Sequence, residues 1–489
     1  MECAGSTLDV TVLSTTESVC PVCLRQIGAE RIAIGDQVFL RKECPEHGRF
    51  QTVLWRGLDS YLAWKGPQKP LHQPTANALP VSSKGCPHDC GPCTDHHQQT
   101  CCAIVEVTPR CNLACPVCFA DASAGRAGEP DANEIVERCR ALLATRGPFN
   151  IQLSGGEPTV RNDLPELIAR LREAGAPFVQ LNSNGIRLAC EAGYARRLKW
   201  AGLDCVFLQF DGLTADVYKA IRGCDLFRLK AAAIANCAEV QLGVVLVPTL
   251  VPGVNTGQIG AILRFALEHM PVVRAVHFQP VSYFGRYPGS RRGENGPGAG
   301  PQDSDRITIP EVLEAIEQQT GGLMRAGDFH APSAENAYCS FQGKFHVAAN
   351  GQVKPAAAPK TASCCGTTQQ LVQPGGSPQQ QSDGGELRRA RQAVSRQWAF
   401  PVIQDAGRES SCCSATEFAS FDAFLAAEAR ALSVSSMAFQ DAWNLDLDRL
   451  RECFLHVATT DGRMVPVCAY NLTSCDGQTL YRPLNGDPR

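Results

Sequence analysis

The chain has 489 residues, a formal net charge of −3 and 25 cysteines. The near-neutral balance argues against a nucleic-acid partner, and no apolar run reaches the ~18 residues that a membrane span needs. Because the first residues lack a basic stretch followed by an apolar one, we expect a cytoplasmic protein rather than a secreted one.

Cysteine is the residue type whose abundance stands out. A chain of this length buries enough apolar surface to fold without disulfides, and clustered cysteines in a reducing compartment are more often metal ligands than disulfide partners. Five cysteines stand alone in helix or strand patterns. We expect these five to be buried core residues: Cys139, Cys190, Cys205, Cys224 and Cys237.

Residues 1–75 form a small module with two pairs of metal-ligand residues. Cys20-Pro-Val-Cys23 comes first, and Cys44-Pro-Glu-His47 follows. CxxC followed by CxxH at this separation predicts a tetrahedral mononuclear site for zinc or rubredoxin-like iron. A CxxC pair alone would suggest a redox dithiol, but the second pair favours the metal.

Residues 76–101 form a loop rich in Gly, Pro, Cys and His. Its closely spaced cysteines predict an auxiliary [4Fe–4S] cluster with these ligands: Cys86, Cys90, Cys93 and Cys101. His96, His97 and Cys102 are alternatives for one of the four ligands. Zinc is the competing metal, and iron–sulfur is favoured because the loop leads directly into the first strand of the next region.

From residue 102 to residue 285, buried strands alternate with amphipathic helices. Six strands are predicted, at 103–107, 149–153, 178–181, 206–210, 242–247 and 275–278. Right-handed crossovers between successive parallel strands place the helices outside a sheet that curls toward a barrel. The predicted fold class is therefore α/β, with a partial (β/α)6 barrel at its centre.

A three-cysteine loop follows the first predicted strand. Cys111-Asn-Leu-Ala-Cys115-Pro-Val-Cys118 places three thiolates on one short loop, which can hold three irons of a [4Fe–4S] cube. The fourth iron is then open to a small molecule. Gly155-Gly156-Glu157-Pro158 follows the second strand, and ligands of such sheets bind at this carboxyl edge. The two motifs therefore predict one site.

These two motifs, in this order, resemble the radical S-adenosylmethionine (SAM) superfamily. The resemblance implies that the open iron chelates the amino and carboxylate groups of SAM, and that the reduced cluster cleaves SAM to a 5′-deoxyadenosyl radical. It also implies that Gly155 and Gly156 let the backbone approach the methionyl group of SAM, that Glu157 orients its ammonium group, and that Pro158 belongs to the same SAM-binding motif. The glycines would permit this close approach because they lack Cβ atoms.

Further SAM contacts are expected where the later strands end. The candidates are Asn182, Ser183, Asn184, Gln209, Asp211 and Gln279. For Asn184 and Asp211, a role in a turn or a helix cap is an equal alternative.

Beyond residue 285 the pattern is less regular. Residues 286–353 are predicted to be a connecting segment, and residues 354–387 a flexible low-complexity insertion rich in Pro, Gln, Ser and Gly. Residues 388–489 are predicted to be a small C-terminal α+β domain. It ends in two predicted strands, 453–458 and 464–469.

The order of the cysteine motifs carries a closer resemblance. The motifs CPxC…CPEHG, GCPxDCGxCxxHxxxTC and CNLxCPVCFA together resemble the archaeal tetraether lipid synthase group, which is also proposed to include methanopterin-methylating enzymes. The resemblance implies a further cluster held by Cys339, Cys453 and Cys468. A fourth ligand would come from Cys412, Cys413 or the substrate.

Two features depart from that group. Ser333 stands where relatives carry a cysteine, and the chain adds the vicinal pairs Cys364-Cys365 and Cys412-Cys413. These pairs and the run Asn336-Ala-Tyr-Cys339 resemble a bacterial branch called radical SAM (seleno)protein TrsS. Extra metal or thiol chemistry and an inert loop position are both open for the pairs.

The resemblance implies an enzyme that activates a C–H bond, with C–C bond formation or methylation as the leading reaction. Peptide or cofactor maturation is the alternative reaction, and a multi-cluster electron-transfer protein is the alternative outside enzyme chemistry. An electron carrier needs no open iron, so the three-cysteine loop favours the enzyme. The implied partners are a reductant such as flavodoxin or ferredoxin, and a lipid, a pterin-like cofactor or a peptide as substrate.

Overall fold

Four antiparallel strands build the N-terminal module. The computed structural model describes residues 9–66, 84–91, 93, 95–126, 128–287, 300–332, 335–348, 350–356, 397–401 and 430–482. The four strands pair in sequence order and are β1 (Val10–Val19), β2 (Gln26–Ile34), β3 (Gln37–Cys44) and β4 (Gly48–Arg56). The β1–β2 and β3–β4 turns lie at the same end of this meander, so both predicted ligand pairs meet there. A short helix, α1 (Leu58–Ala63), follows the sheet.

Six parallel strands form the centre of a second, larger sheet, which confirms the predicted α/β core. Their bounds are β5 (Cys102–Thr108), β6 (Asn150–Gly155), β7 (Val179–Ser183), β8 (Cys205–Gln209), β9 (Gly243–Val247) and, after the two-residue β10 (Thr249–Leu250), β11 (Val273–Pro280). These six strands are neighbours in the sheet in the order in which they follow one another in the chain. Every residue of β9 is buried, as is typical of a parallel strand covered on both faces.

Helices connect the strands and pack against the outside of the sheet. They are α2 (Ala132–Arg146), α3 (Leu164–Glu173), α4 (Ile186–Cys190), α5 (Tyr194–Trp200), α6 (Ala215–Arg222), α7 (Phe227–Glu239), α8 (Ile259–Glu268) and α9 (Ile309–Thr320). Their apolar faces and the outward residues of the strands form one continuous core. This packing leaves the carboxyl ends of the strands free to build a site.

The second half of the chain extends the same sheet at both edges. Its elements are β12 (Ser340–Val347), β13 (Val353–Pro355), β14 (Ala431–Met437), α10 (Leu447–Arg451), β15 (Leu455–Ala458), β16 (Met464–Pro466) and α11 (Val467–Asn471). Strand β14 pairs in parallel with β11, and β15 pairs in parallel with β5. The C-terminal segment therefore extends the central sheet instead of forming a sheet of its own, because β14 and β15 pair with its two edge strands and the remaining strands add to these.

Three local predictions are wrong. Val467–Ala469 begins helix α11, where the sequence pattern predicted a continued strand. Cys190 and Cys224 are exposed rather than in the core, whereas Cys139, Cys205 and Cys237 are buried as expected. Cys190 is the last residue of α4, a five-residue helix too short for its periodicity to define a buried face.

Several predicted features lie outside the described residues. These are Ser333, the pairs Cys364-Cys365 and Cys412-Cys413, and most of the predicted insertion. Among the helices that are described, none combines the length and the apolar character that a membrane crossing requires.

Candidate active site and metal centres

The loop after β5 carries the three cysteines of the cluster motif. Cys115 is buried, while Cys111 and Cys118 are partly exposed. The backbone N–H of Leu113 donates to Cys111 Sγ at 3.4 Å. The Cys111 thiol interacts electrostatically with the thiols of Cys115 and Cys118. The three thiols therefore lie near one another, as a cluster that gives each thiolate its own iron requires.

The environment of these thiols also fits a cationic cofactor. Burial raises the pKa of the Cys111 thiol to about 12. Burial also raises the pKa of the Cys115 thiol, and the Arg222 guanidinium opposes that shift. Buried thiolates need positive charge close by, which a bound metal supplies as it displaces their protons.

Arg222, at the end of α6, is a residue of this site that the sequence patterns did not indicate. Its guanidinium makes two bonds to the Asp211 carboxylate, of 2.7 and 2.8 Å, and one of 3.2 Å to Thr249 Oγ1. Both members of the ion pair are buried. Asp211, predicted to contact SAM, therefore holds a cation beside Cys115. A basic residue in the last turn of an amphipathic helix gives no such signal in the sequence.

Arg286 encloses the cysteine loop from the other side. Its backbone N–H donates to Cys118 O at 3.0 Å, and Cys118 N–H donates to Arg286 O at 2.8 Å. The guanidinium donates to the Cys115 carbonyl at 2.8 Å, to Asp121 at 2.8 Å and to the Ala122 carbonyl at 3.0 Å. Arg286 was assigned only to a connecting segment, although its place just after the sixth strand was a usable signal.

Gly155 and Gly156 allow the ends of β5 and β6 to approach each other. A Cβ on Gly155 would lie 2.2 Å from the Thr108 carbonyl oxygen, and one on Gly156 would lie 2.1 Å from the Arg110 carbonyl oxygen. Gly155 also has a φ of +125°. The N–H groups of Gly156 and Glu157 donate to these same oxygens at 2.8 Å. The glycines thus fix the start of the cysteine loop, a role beyond the expected approach of SAM.

Glu157 ties the end of β6 to the end of β7. Its buried carboxylate accepts from Thr159 N–H and Oγ1 at 3.1 and 2.7 Å, from Ser183 Oγ at 2.8 Å and from Asn184 N–H at 2.6 Å. Burial raises the pKa of this carboxyl, and these bonds oppose the shift. The predicted SAM contacts Glu157, Ser183 and Asn184 are therefore brought together in one hydrogen-bonded network.

A buried lysine supports the same edge of the sheet. Lys230 in α7 is fully buried and donates to the Asn184 carbonyl oxygen at 2.5 Å. Burial lowers the pKa of Lys230 to about 8. The Asn184 side chain in turn donates to Asn112 Oδ1 at 2.7 Å, within the cysteine loop. Asn184 therefore connects α7 to the cysteine loop. This structural role resembles the expected role in a turn or cap more than the expected contact with SAM.

The other predicted SAM contacts lie at the same edge of the sheet. Pro158 is buried and opens a single turn of 3₁₀ helix. Asn182 donates to Ser154 Oγ at 3.4 Å, and the half-buried Gln209 ends β8. Gln279 is the second-to-last residue of β11, the last strand of the barrel, and it pairs with Thr249 of β10. These residues therefore lie at or near the carboxyl ends of β6, β7, β8 and β11, on the edge of the sheet from which the cysteine loop begins.

The N-terminal module holds a compact metal site. The ligand atoms of Cys20, Cys23, Cys44 and His47 all lie within 4.8 Å of one another. His47 Nδ1 lies 3.6 Å from Cys20 Sγ and 3.4 Å from Cys44 Sγ. Three sulfurs and one imidazole nitrogen at such spacing fit a tetrahedral ion. The structure thus brings together all four residues that the sequence predicted as ligands.

The loop before β5 forms a first cysteine cavity. It is lined by Cys86, Cys90, Gly91, Cys93, Asp95, His96, Leu450, Arg451 and Pro466. Three of the four predicted ligands therefore lie together with His96, the alternative ligand. Asp95 and Arg451 add a carboxylate and a guanidinium to the lining. The spacing of these three cysteines, CxxxCxxC, repeats that of the loop at 111–118.

The remaining residues predicted for this cavity lie elsewhere. Cys101 is buried before β5, where its N–H donates to the Phe454 carbonyl. Cys102 Sγ lies 3.8 Å from Gln152 Oε1 and 3.7 Å from Gln180 Nε2, on the sheet. Neither lines the cavity, because the extended backbone of β5 carries them away from the loop.

A second cysteine cavity brings together the three C-terminal candidates. Cys339, Cys453 and Cys468 line it, and the closest-spaced pair among them is 15 residues apart in sequence. Arg449 Nε donates to Cys339 Sγ at 3.4 Å, and Gln440 N–H donates to Cys468 Sγ at 3.3 Å. Glu335, which no sequence motif singled out, lines the same cavity.

Comparison with known proteins adds two family matches. Residues 105–266 match the model of the radical SAM superfamily, and residues 12–56 match the HMPTM N-terminal zinc ribbon domain. The first match spans the cysteine loop and the barrel from β5 to α8 but ends before β11, and the second spans the compact four-ligand site.

Individual proteins are similar over different lengths. The 7,8-dihydro-6-hydroxymethylpterin dimethyltransferase of Methanocaldococcus jannaschii is 33% identical over 482 residues, which cover 93% of each chain. A protein named "Probable GTP 3′,8-cyclase" from Methanothermobacter thermautotrophicus is 31% identical over 173 residues, 35% of this chain and 55% of that protein. Streptococcus suis SuiB bound to S-adenosylmethionine has a TM-score of 0.36, too low to support an argument, at 15% identity over 46% of this chain and 47% of its own.

Sequence identity of 33% over 93% of both chains establishes that the two proteins belong to one family. The three-cysteine loop, which leaves one iron of a cluster open, carries the chemistry of that family. The chain belongs to the radical SAM superfamily and is a radical SAM enzyme of the same family as the pterin dimethyltransferase of M. jannaschii.

Proposed function

We propose that this enzyme methylates a reduced pterin. The observation that carries the proposal is the 33% identity to 7,8-dihydro-6-hydroxymethylpterin dimethyltransferase across 93% of both chains. The similarity extends beyond the barrel, and residues 12–56 separately match the HMPTM N-terminal zinc ribbon domain. Methylation was, with C–C bond formation, one of the two leading reactions that the resemblance of the cysteine motifs implied.

The proposal assigns SAM activation to the loop after β5. A [4Fe–4S] cluster held by Cys111, Cys115 and Cys118 supplies the electron that cleaves SAM to methionine and a 5′-deoxyadenosyl radical. Arg286 holds the carbonyl of Cys115 in place, and Arg222 offsets negative charge at its sulfur. Both cations are themselves fixed, so the loop keeps its shape as charge changes.

The proposal assigns the pterin to the interior of the barrel beside that loop. Arg482 donates to Glu106 Oε1 at 2.6 Å and to Asn471 Oδ1 at 2.7 Å. Tyr470 OH lies 3.1 Å from the second oxygen of Glu106. Arg482 also interacts electrostatically with Cys118. A pterin ring carries alternating donors and acceptors, and this group supplies both kinds from three buried residues, Tyr470, Asn471 and Arg482, and the partly exposed Glu106.

The two cysteine cavities are part of the proposal as auxiliary iron–sulfur sites. Cys86, Cys90 and Cys93 would hold the first, and Cys339, Cys453 and Cys468 the second. Their cysteines are clustered and either buried or partly buried, which favours metal over disulfide chemistry in a reducing compartment. We accordingly place the enzyme in the cytoplasm, with flavodoxin or ferredoxin as its reductant.

The test is an anaerobic assay of the reconstituted full-length enzyme with SAM, dithionite and 7,8-dihydro-6-hydroxymethylpterin. We expect 5′-deoxyadenosine and a pterin whose mass increases by one or two methyl groups. Cys115→Ser should abolish both products, whereas Cys190→Ser, which changes an exposed cysteine outside the site, should leave them unchanged.

Two results would separate the parts of the proposal. Formation of 5′-deoxyadenosine without a methylated pterin would exclude the pterin substrate and leave SAM cleavage intact. Continued 5′-deoxyadenosine formation by Cys115→Ser would instead overturn the assignment of the loop after β5.

A further inference from the structure

Arg449 is a buried arginine in the wall of the second cysteine cavity. It is 9% exposed, its Nε atom donates to Cys339 Sγ at 3.4 Å, and its Nη2 atom donates to the Ala438 carbonyl oxygen at 3.0 Å. Among the described residues, no carboxylate forms an ion pair with this guanidinium, whereas the buried Arg222 pairs with Asp211. A buried charge is costly unless it is paired, so Arg449 requires a negative charge within the cavity.

The thiols of the cavity are the groups that can supply this negative charge. Arg449 interacts electrostatically with Cys339 and Cys468, and Cys453 interacts with the same two cysteines. Neutral thiols carry no charge to offset a guanidinium, but a metal centre displaces their protons and leaves thiolates. The arginine and the three cysteines therefore offset one another once a metal centre is bound.

The first cysteine cavity provides a contrast on the same short helix. Arg451 lines that cavity and lies about 200° around α10 from Arg449, at ~100° per residue. Arg451 is paired with two carboxylates, Glu17 at 2.5 Å and Asp448 at 3.3 Å. The charge of Arg451 is thus offset before any cluster binds, whereas the charge of Arg449 is not.

The other carboxylates near the two cavities leave this contrast in place. Each cavity is lined by one of them, Asp95 in the first and Glu335 in the second. Asp446, which also interacts with Arg449, is paired with Arg31. The first cavity therefore has an excess of carboxylate charge that the second cavity lacks.

We propose that Arg449 is the counter-ion of an iron–sulfur cluster in the second cavity and raises its reduction potential above that of the cluster in the first cavity. The inference rests on the auxiliary clusters of the proposed function, but not on the pterin. Net charge and hydrogen bonds to the sulfurs set the potential of a cluster. A reductant such as flavodoxin or ferredoxin supplies one electron, no bond forms or breaks, and Arg449 offsets the charge that is added.

The order of the two potentials gives electron transfer between the cavities a direction. Leu450 lines both cavities, so clusters held in them are separated by a single layer of side chains. An electron moves spontaneously toward the centre of higher potential. The second cavity is therefore the electron-accepting end of the pair.

The experiment uses full-length protein purified without oxygen. A Cys111→Ala/Cys115→Ala/Cys118→Ala parent removes the signal of the SAM-binding cluster. Into this parent we introduce Arg449→Gln, which keeps a side-chain N–H group but loses the charge, and Arg449→Lys, which keeps the charge. Arg197→Gln is the matched control, because Arg197 lies outside both cavities in an exposed ion pair.

A redox titration with dithionite, followed by EPR, measures the potential of each cluster. Cys468→Ala should remove the signal of higher potential, and Cys90→Ala the signal of lower potential. Arg449→Gln should keep the iron and acid-labile sulfide of the parent, but about tenfold less of the second cluster should be reduced at a given potential, a shift of ~59 mV for one electron. Arg449→Lys should recover most of this shift, and Arg197→Gln should match the parent.

Two results would overturn the inference while the auxiliary clusters remain. One is an unchanged potential in Arg449→Gln. The other is loss of the higher-potential signal in Cys90→Ala instead of Cys468→Ala. This second comparison retains the native arginine, so it is decisive even where Arg449→Gln does not fold. A parent without acid-labile sulfide would remove the auxiliary clusters of the proposed function, and this inference with them.

Discussion

The Nε2 atom of His96 lies 2.7 Å from the carbonyl oxygen of Cys453. His96 lines the first cysteine cavity, Cys453 lines the second, and Leu450 lines both. The two cavities therefore share a wall. Since a carbonyl only accepts, His96 Nε2 carries the proton, and His456 Nε2 at 3.1 Å is a second acceptor. Burial lowers the pKa of His96 to about 4, so this contact joins neutral rings.

Clusters in the two cavities should interact magnetically. In the Cys111→Ala/Cys115→Ala/Cys118→Ala parent, we expect the fully reduced EPR spectrum to be broadened by spin–spin coupling. Cys468→Ala should remove one cluster and sharpen the spectrum of the other, whereas Cys237→Ala, a buried cysteine of α7, should leave the coupling unchanged. A single unbroadened [4Fe–4S] signal in the parent would show that the cavities do not both hold clusters.

Gly156 should tolerate no side chain. A methyl group there would meet the Arg110 carbonyl oxygen at 2.1 Å, and this oxygen cannot move without shifting the cysteine loop. We expect Gly156→Ala to destabilise the fold by roughly 1–3 kcal/mol and to lower iron content at the loop. Urea unfolding and iron analysis measure the two effects. Gly257→Ala, with nothing within 4 Å of its added methyl, should change stability by less than ~0.5 kcal/mol.

The alternation of strands and helices predicted the barrel because each parallel strand is buried on both faces and leaves a clear apolar run. The strands of the C-terminal half were assigned to a separate domain because a short strand carries no record of its partner. β15, for example, has four residues and pairs with β5, which precedes it by about 350 positions in the chain.

The candidate site was predictable wherever ligands are close in sequence. The ligand pairs that begin at Cys20 and Cys44 predicted the N-terminal metal site, because the two ligands of each pair must have a fixed spacing in sequence to reach one ion. Arg222, Arg286 and Glu335 were missed because a charged residue in a helix or loop looks the same whether it faces solvent or a buried sulfur. Only the packing of distant segments distinguishes the two.

The N-terminal module should bind one metal ion independently of the clusters. We expect Cys23→Ser to lose this ion, because three ligands hold a structural metal far less tightly than four. Metal analysis should show one ion fewer per chain, and comparing the iron and zinc contents of Cys23→Ser and the wild type identifies which ion is lost. Cys190→Ser should retain the ion. Equal metal content in the two variants would contradict the four-ligand site.

His277 should make the fold sensitive to mild acid. Its ring lies on β11, accepts or donates one bond of 2.9 Å to Ser435 Oγ, and burial lowers its pKa from 6.5 to about 4. Between these pH values the unfolded chain binds more protons than the folded chain, so stability falls as pH falls. The contribution reaches about 3 kcal/mol. Urea unfolding from pH 7 to pH 4 should show a smaller loss for His277→Gln than for the wild type; parallel curves would exclude this role.

Single and double variants of Asp211 and Arg222 should show how much stability is lost when one charge of this buried pair is left without its partner. Both are buried, so removing either one leaves an unpaired charge, and we expect Asp211→Asn or Arg222→Met to cost about 3–5 kcal/mol in urea unfolding. The double variant should recover much of this loss because no charge then remains buried. Arg197→Ala, which breaks an exposed ion pair with Glu191, should cost less than ~1 kcal/mol.

The same double variant distinguishes a structural role of the pair from a functional one. The double variant leaves no unpaired charge in the protein interior, but it removes the cation beside Cys115. The SAM-binding cluster should then be harder to reduce, because the negative charge that it gains on reduction is no longer offset. A redox titration followed by EPR should show a more negative potential in the stable double variant than in the wild type. An unchanged potential would mean that Arg222 serves only to neutralise Asp211.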